Sequence, residues 1–340
     1  MPSLAHGLLQ IRGMLDENLP YNLNWQSIDW APVDTHLSAN PIYVVDVGAR
    51  GGSLRELRPL DRYLDIVAFD ADRDEVDRLN SLGKQGFKGY RALPYFVGGS
   101  SGSVTFHLYE RLTQSSSLLP SGSYRRRYEP GMNIERDVTV QSTTIDAMMD
   151  AGEISEVDIL KLDTQGTEYE ILTEAKAALS KALLVEVEVS FIARYEGQKL
   201  AFDIERIMHE SGFELLYVSR VFRTRTGYRG RNRGQLVNGD MLFGISDARA
   251  SALPMNRKLK LVVLLIQYGL MDYAHAVYSE AQDLQEAVPR LARYFAPSPG
   301  IFAKIRSGLA VQLDKLIAVL LHLRRTNGCR TDSDRAWPIR

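Results

Sequence analysis

The sequence predicts an α/β protein: a mostly parallel sheet, preceded by an N-terminal cap and followed by a helical C-terminal extension. Three observations carry this. Short apolar runs at 42–45, 65–69, 159–162 and 183–189 have the length and density of buried parallel strands. Helical patterns lie between them, as in Glu75, Val76 and Leu79 or Tyr169, Ile171 and Leu172. The first run stops in Asp46-Val47-Gly48-Ala49-Arg50-Gly51-Gly52, and a helix-like stretch over 53–60 follows. Strand, glycine turn and helix start are the ingredients of a nucleotide site, because glycines admit the ligand to the backbone and free N–H groups receive it.

Length and composition bound the rest. The 340 residues suffice for a core domain with an appendage, and we divide them into a cap over 1–40, a ligand-binding domain over 41–247 and a helical extension over 248–340. The net charge of −1 gives no bulk attraction to nucleic acid or to a membrane. A lone cysteine, Cys329, excludes an internal disulfide and any zinc-ligand spacing, which fits a reducing cytoplasm. No signal-peptide core opens the chain, and the longest apolar runs, 261–266 and 316–321, are far short of a bilayer span.

The elements follow in order. Leu4, Leu8, Ile11 and Leu15 recur at helical spacing, with Trp25 and Trp30 to pack the cap on the domain. The second strand ends at Asp70 and a helix runs on to Leu82. A third strand spans 91–97, closes on Gly98-Gly99-Ser100-Ser101-Gly102, and leads into an added strand over 103–109. The polar stretch 113–136, with Arg125-Arg126-Arg127, reads as a mobile flap near the site. A short strand over 138–142 precedes a hydroxyl-capped helix from Thr143-Thr144. The fourth parallel strand ends at Asp163, before Thr164-Gln165-Gly166-Thr167-Glu168. The fifth carries Glu186 and Glu188 on one face. After a helix over 202–211, strands at 213–219 and 239–245 close the sheet as an antiparallel pair around an arginine-rich loop. Helices over 259–271, 273–286 and 301–323 form the extension.

The chemistry lies where strands end. In an open parallel sheet ligands sit beyond the carboxyl ends of the strands, and Asp46, Asp70 and Asp163 all fall there. Asp70, about 20 residues after the glycine turn, is placed to accept two ribose hydroxyls. The turn lacks G-x-G-x-x-G, with Arg50 where its second glycine belongs, which disfavours NAD. An acidic residue two positions before Gly48 suits a ligand with a cationic amino group, as in S-adenosylmethionine (SAM). The turn residues Gly48, Ala49, Arg50 and Gly51, with Asp46, Asp70, Ala71, Gly98 and Asp163, form the expected cofactor set. Arg223, Arg225 and Arg229 are the expected acceptor-binding residues, suited to a phosphorylated or acidic group. Nucleic acid is not expected, since no recognition motif accompanies these arginines.

These residues also support a family resemblance. Residues 42–246 resemble the FkbM family of SAM-dependent methyltransferases. The resemblance is carried by Val45-Asp46-Val47-Gly48-Ala49-Arg50-Gly51-Gly52-Ser53, Ala68-Phe69-Asp70-Ala71-Asp72, Thr144-Ile145-Asp146, and Leu160-Lys161-Leu162-Asp163-Thr164-Gln165-Gly166-Thr167-Glu168. Val185-Glu186-Val187-Glu188, Tyr195-x-Gly197-Gln198-x-x-x-Phe202 and Asp240-Met241-Leu242-Phe243 extend it. Departures are Arg50 for a common asparagine, Asp70 for a glutamate and Gln165 for a glutamate. The resemblance implies a seven-stranded Rossmann-like class I methyltransferase sheet, SAM as methyl donor, and O-methylation of a sugar, glycan or secondary metabolite. On that expectation Asp163 and Glu188 are the catalytic candidates, and His107 and His209 are ordinary histidines. No metal-ligand spacing is present, although a divalent ion between Asp163 and Glu188 is conceivable chemically. The alternative reading is a non-catalytic SAM-fold scaffold that holds a partner through the C-terminal helices. The basic amphipathic stretch 301–325 also offers a face for peripheral membrane contact, with packing on the core or a second subunit as the alternative.

Overall fold

The computed structural model describes residues 28–52, 54–229 and 234–295, with the backbone of 331–333. In chain order the strands are β1 (Ile42–Val47), β2 (Leu64–Phe69), β3 (Gly89–Leu93), β4 (Phe96–Val97), β5 (Gly102–Tyr109), β6 (Ile134–Thr143), β7 (Ile159–Leu162), β8 (Leu184–Ser190), β9 (Phe213–Arg223), β10 (Gln235–Ile245) and β11 (Thr331–Ser333). The main sheet has the order β11-β9-β10-β8-β7-β1-β2-β3. β3, β2, β1, β7 and β8 run parallel, and β10 is antiparallel to both β8 and β9. This is the seven-stranded Rossmann-like methyltransferase order, with the three-residue β11 added at one edge. Strand order reverses between β1 and β7, so the crevice at their carboxyl ends is the switch point where such sheets take ligands.

Register follows from burial. β1 and β8 are buried along almost their whole length, as their apolar runs require. Asp46 pairs in register with Lys161 of β7, and the two side chains meet at 3.4 Å. Burial opposes the charge on Lys161, but Asp46 and Asp163 outweigh it and its pKa rises. Burial also raises the Asp46 carboxyl, with Lys161 offsetting part of the shift.

The helices are short apart from three. They are α1 (Asp34–Ala39), α2 (Arg73–Ser81), α3 (Gly122–Arg127), α4 (Ile145–Asp150), α5 (Glu168–Glu174), α6 (Lys176–Lys181), α7 (Ala201–Glu210), α8 (Asp247–Ser251), α9 (Met255–Gln267), α10 (Met271–Glu280) and α11 (Gln282–Ala287). Asp72 caps α2 by accepting from the Asp74 amide, and Thr144 caps α4 in the same way. Asp146 of the Thr-Ile-Asp motif is also structural: its carboxylate accepts from the Ala177 and Ala178 amides at the start of α6.

Several expectations need correction. The strand expected over 91–97 is two strands in different sheets. Pro94 has no N–H to continue the ladder, so pairing with β2 ends at Leu93 and β4 joins β6 instead. β4, β6 and β5 form a separate three-stranded sheet, and β6 is twice the length expected. The helix-like stretch after the glycine turn is a 3₁₀ segment, Arg55–Tyr63, with Pro59 inside it. The segment 113–136 is not a mobile flap. Gln114, Ser115 and Ser116 are buried, and Tyr124, Tyr128 and Met132 join Tyr109, Tyr195 and Val237 in a satellite core.

The C-terminal helices likewise do more than append. Every residue from Leu259 to Gln267 in α9 is buried, in the same core as the sheet. Its Lys260 and Arg257 each reach the fully buried Asp158 at 2.8 Å, and Asp158 also accepts from the Tyr43 amide. Trp30 is buried as the cap required. The expectations for Leu4 to Trp25, for the helix over 301–323 and for membrane contact at 301–325 lie outside the described residues. Among the described residues no helix is long and apolar enough to cross a membrane.

Candidate active site

An open cavity lies at the carboxyl ends of β1, β2 and β7, its space about 630 Å³ with the solvent at its mouth included. Gly48 and Arg50 of the glycine turn form one wall, Asp70 and Ala71 a second, and Asp163, Thr164 and Gln165 a third. Phe96 and Phe106 of the small sheet, with Leu112, Thr113 and Ser115, close the remaining side.

The turn is pinned from both sides. The Gly48 and Ala49 amides both donate to the Phe69 carbonyl at the end of β2. Gly48 has φ +81°, and a Cβ there would overlap the Asp163 carbonyl, lying 2.7 Å from its carbon. Only glycine lets β1 and β7 approach this closely. Arg50 points along β2: its Nη2 donates to Asp72 at 2.7 Å and lies 3.5 Å from Asp70, with Nη1 3.9 Å from Glu75. Burial pushes the Asp70 carboxyl up to about 6, against the pull of Arg50 and the Asp72 amide. The Asp72 amide occupies Asp70 Oδ1 at 2.8 Å.

The turn after β7 is held by Glu168. Its carboxylate accepts from the amides of Thr164 and Gly166 and from the Thr164 hydroxyl, so it closes the loop rather than facing the cavity. Burial, partly offset by those amides, raises it to about 7. Gln165 stands at φ +59°, an uncommon conformation for a residue other than glycine. Its side chain is fully engaged. Nε2 donates to Asp163 Oδ1 and Glu188 Oε2, each at 2.6 Å. Oε1 accepts from Arg194 Nη2 at 3.0 Å and from the Tyr195 hydroxyl at 3.1 Å. Glu188 Oε1 in turn accepts from Arg194 Nη1 and Asn238 Nδ2. Burial, then the nearby Asp163, raise the Glu188 carboxyl well above the ordinary range.

Of the residues expected at the site, Gly48, Arg50, Asp70, Ala71 and Asp163 line the cavity. Asp46, Ala49, Gly51, Gly98 and Glu188 do not: Asp46 faces Lys161, the Gly51 amide donates to Glu75, and the Gly98 amide donates to Thr143. Arg223 lies 2.7 Å from the buried Glu129, and the Arg225 guanidinium lies 5.9 Å from the Tyr128 ring. Arg229 is exposed. The Thr226 amide donates to the Arg127 carbonyl at the end of α3, so the two arginine runs meet there. His107 meets Asp137 at 2.7 Å, and His209 is exposed on α7.

Sequence reasoning missed Phe96, Phe106 and Leu112 as walls, and Arg194 and Tyr195 as partners of Gln165. The usable signal was Arg194 itself, a lone cation beside a motif tyrosine. The conceived cation between Asp163 and Glu188 does not fit: the Gln165 amide nitrogen bridges those two carboxylates, and Arg194 already neutralises Glu188. Among the described residues no group of three or more His, Cys, Asp or Glu could hold a metal ion. SAM fits better. The glycine cradle at Gly48 and the acidic Asp70 on the next strand both line the cavity at the switch point.

The chain is similar to several known methyltransferases. The hexuronic acid methyltransferase AglP of Haloferax volcanii is 24% identical over 124 residues, covering 36% of this chain and 46% of that protein. The chain thus aligns with less than half the length of that relative. Among solved structures, the SAM-bound magnesium protoporphyrin IX methyltransferase of Synechocystis PCC 6803 is 14% identical, with a TM-score of 0.32 over 66% of this chain and 80% of that one. A SAM-dependent methyltransferase from Aquifex aeolicus is 12% identical, with a TM-score of 0.28 over 66% of this chain and 94% of that one. The family model of the methyltransferase FkbM domain matches residues 46–215, from the last turn of β1 into β9. With half its length matched, and with the glycine turn, Asp70 and the β7 turn all inside the match, this chain belongs to the FkbM methyltransferase-domain family.

Proposed function

We propose that this protein is a SAM-dependent methyltransferase that O-methylates a hydroxyl on an acidic sugar or glycan. The observation that carries the reading is the cavity at the switch point, with the Gly48 cradle, Asp70 and Asp163 on three neighbouring strand ends. The glycine turn would take the methionine end of SAM, and Asp70 would take the ribose hydroxyls through its Oδ2, since Oδ1 is engaged. Asp46 would act at one remove, through the field it shares with Lys161. SAM, when bound, supplies an activated methyl group, whose carbon–sulfur bond breaks with its electron pair going to sulfur as the acceptor oxygen takes the carbon. The chain must align that oxygen, exclude water and receive the hydroxyl proton.

The acidic acceptor is supported by the joined arginine runs. Arg111, 71% exposed, adjoins the wall residue Leu112, and Arg225 and Arg229 lie out in solvent on the neighbouring hairpin. The related methyltransferase is named for a hexuronic acid, in line with this charge. Calorimetric titration with SAM, S-adenosylhomocysteine and NAD is the first test: the first two should bind and NAD should not. Methyl transfer is then assayed on uronic acid glycosides beside their uncharged counterparts. An alkali-stable methyl ether from the charged sugar supports the reading. A labile methyl ester, or preference for the uncharged sugar, refutes it.

A further inference from the structure

Two acidic side chains stand at the β7 and β8 ends of the site, and their surroundings differ. Both oxygens of Glu188 are taken: Oε2 by Gln165, Oε1 by Arg194 and Asn238. Glu188 does not line the cavity. Asp163 does, and its Oδ1 is held by Gln165 at 2.6 Å, so Oδ2 is the oxygen outside that bond. The amide that separates them has a fixed orientation. Its nitrogen faces two carboxylates, and its oxygen faces Arg194 and Tyr195; turning it over would set an oxygen against two anions. The strained backbone at φ +59° is what aims the side chain inward, and Ser116 Oγ fixes that backbone by donating to the Gln165 carbonyl.

We propose that Gln165 is a positioning residue that gives the two carboxylates separate tasks: Asp163 receives the proton of the acceptor hydroxyl, and Glu188 anchors the Gln165–Arg194 brace. This rests on the methyltransferase reading above. As the acceptor oxygen forms its bond to the methyl carbon, its O–H bond breaks and the proton passes to Asp163 Oδ2. A glutamate at 165 would place three carboxyl groups within hydrogen-bond reach of one another, and one would have to hold a proton. The amide keeps the same shape without that proton. The charged groups that bear on Asp163 are Asp46 of β1, Lys161 of β7, Glu168 at the start of α5 and Glu188 of β8, with Arg194 acting on Glu188 and Asp240 of β10 on Lys161.

The test uses Gln165→Glu, an isosteric change, with Glu188→Gln and Asp163→Asn, in the full chain. Carboxyl carbon NMR titration needs no acceptor substrate. Q165E should show one more protonated carboxyl at neutral pH than the parent, in which burial already raises Glu168 and Glu188. With an acceptor in hand, the acid limb of kcat for Q165E should move up by about one to three pH units, with the Kd for SAM within roughly threefold of the parent. D163N should lose about 10²–10⁴ in kcat, the usual worth of a proton acceptor, while E188Q loses about tenfold or less. Absence of the extra proton in Q165E, or an E188Q loss as deep as that of D163N, overturns the proposal. Failure of the parent protein to bind SAM would instead refute the methyltransferase reading, and the NMR titration would still decide the role of Gln165.

Discussion

Replacement of Gly48 by alanine is the sharpest probe of the site. Two costs add at this position. An L-residue at φ +81° carries roughly 1–2 kcal/mol of backbone strain. The added methyl also overlaps the Asp163 carbonyl, which belongs to backbone and not to a movable side-chain tip. That backbone is itself fixed, because the Asp163 amide donates to the Val47 carbonyl at 2.9 Å. The ends of β1 and β7 must therefore part, and the hydrogen bond between them weakens at a further cost of about 1 kcal/mol. The expected loss is about 3 kcal/mol of stability, read by urea unfolding, together with a loss of SAM affinity of tenfold or more, read by calorimetry. Gly51 supplies the control. It has φ +86°, but a Cβ there meets nothing within 4 Å, so Gly51→Ala should cost the strain alone. Equal losses for the two variants would refute the overlap argument, and a Gly48→Ala protein that binds SAM normally would move the cofactor away from this turn.

Other substitutions test separate links. Lys260→Met leaves Asp158 fully buried with Arg257 as its remaining cation, and should cost about 1.5–3 kcal/mol in denaturant unfolding, the worth of a lost hydrogen bond to a charged group. SAM affinity should fall as pH drops below about 6, because the Asp70 carboxyl, raised by burial to about 6, then loses the charge that binds ribose hydroxyls. The stability contribution runs the other way: a carboxyl raised from 3.8 to about 6 favours the folded state at low pH, and that gain is lost as pH rises through this window. Tyr195→Phe removes the one hydroxyl proton that the Gln114 carbonyl and Gln165 Oε1 share, and should cost about 1–2 kcal/mol while loosening Gln165.

The sheet was legible in the sequence because its parallel strands are buried on both faces and so read as continuous apolar runs. Asp46, Asp70 and Asp163 were legible because a strand end is a fixed place in this fold. The far wall was not. Pro94 could be read as a break, but nothing local says that the two residues after Tyr95 leave one sheet for another. Phe96 and Phe106 meet only through pairing of β4 and β5 with β6. Within 112–132 a buried polar run, 114–116, precedes Tyr124, Tyr128 and Met132 at helical spacing, and the arginines between the two tyrosines give the stretch the look of a solvated face. Gln165 looked like a lost carboxylate because sequence gives residue type without neighbours. Beside Asp163, Glu188 and Arg194 it is the one neutral group that satisfies all three.

Asp158 has a consequence for the order in which the chain acquires its shape. It joins β7 to the Tyr43 amide, 115 residues earlier, and to Lys260, 102 residues later. During synthesis from the N-terminus, β1 and β7 can meet well before α9 has emerged, and at that moment the buried anion lacks both of its cations. The half-made sheet must keep Asp158 wet or protonated until Arg257 and Lys260 arrive. A nascent chain halted after the family-matched region should thus lack both the β10 partner of β8 and the two cations of Asp158, and emergence of α9 becomes the step that seals this buried anion.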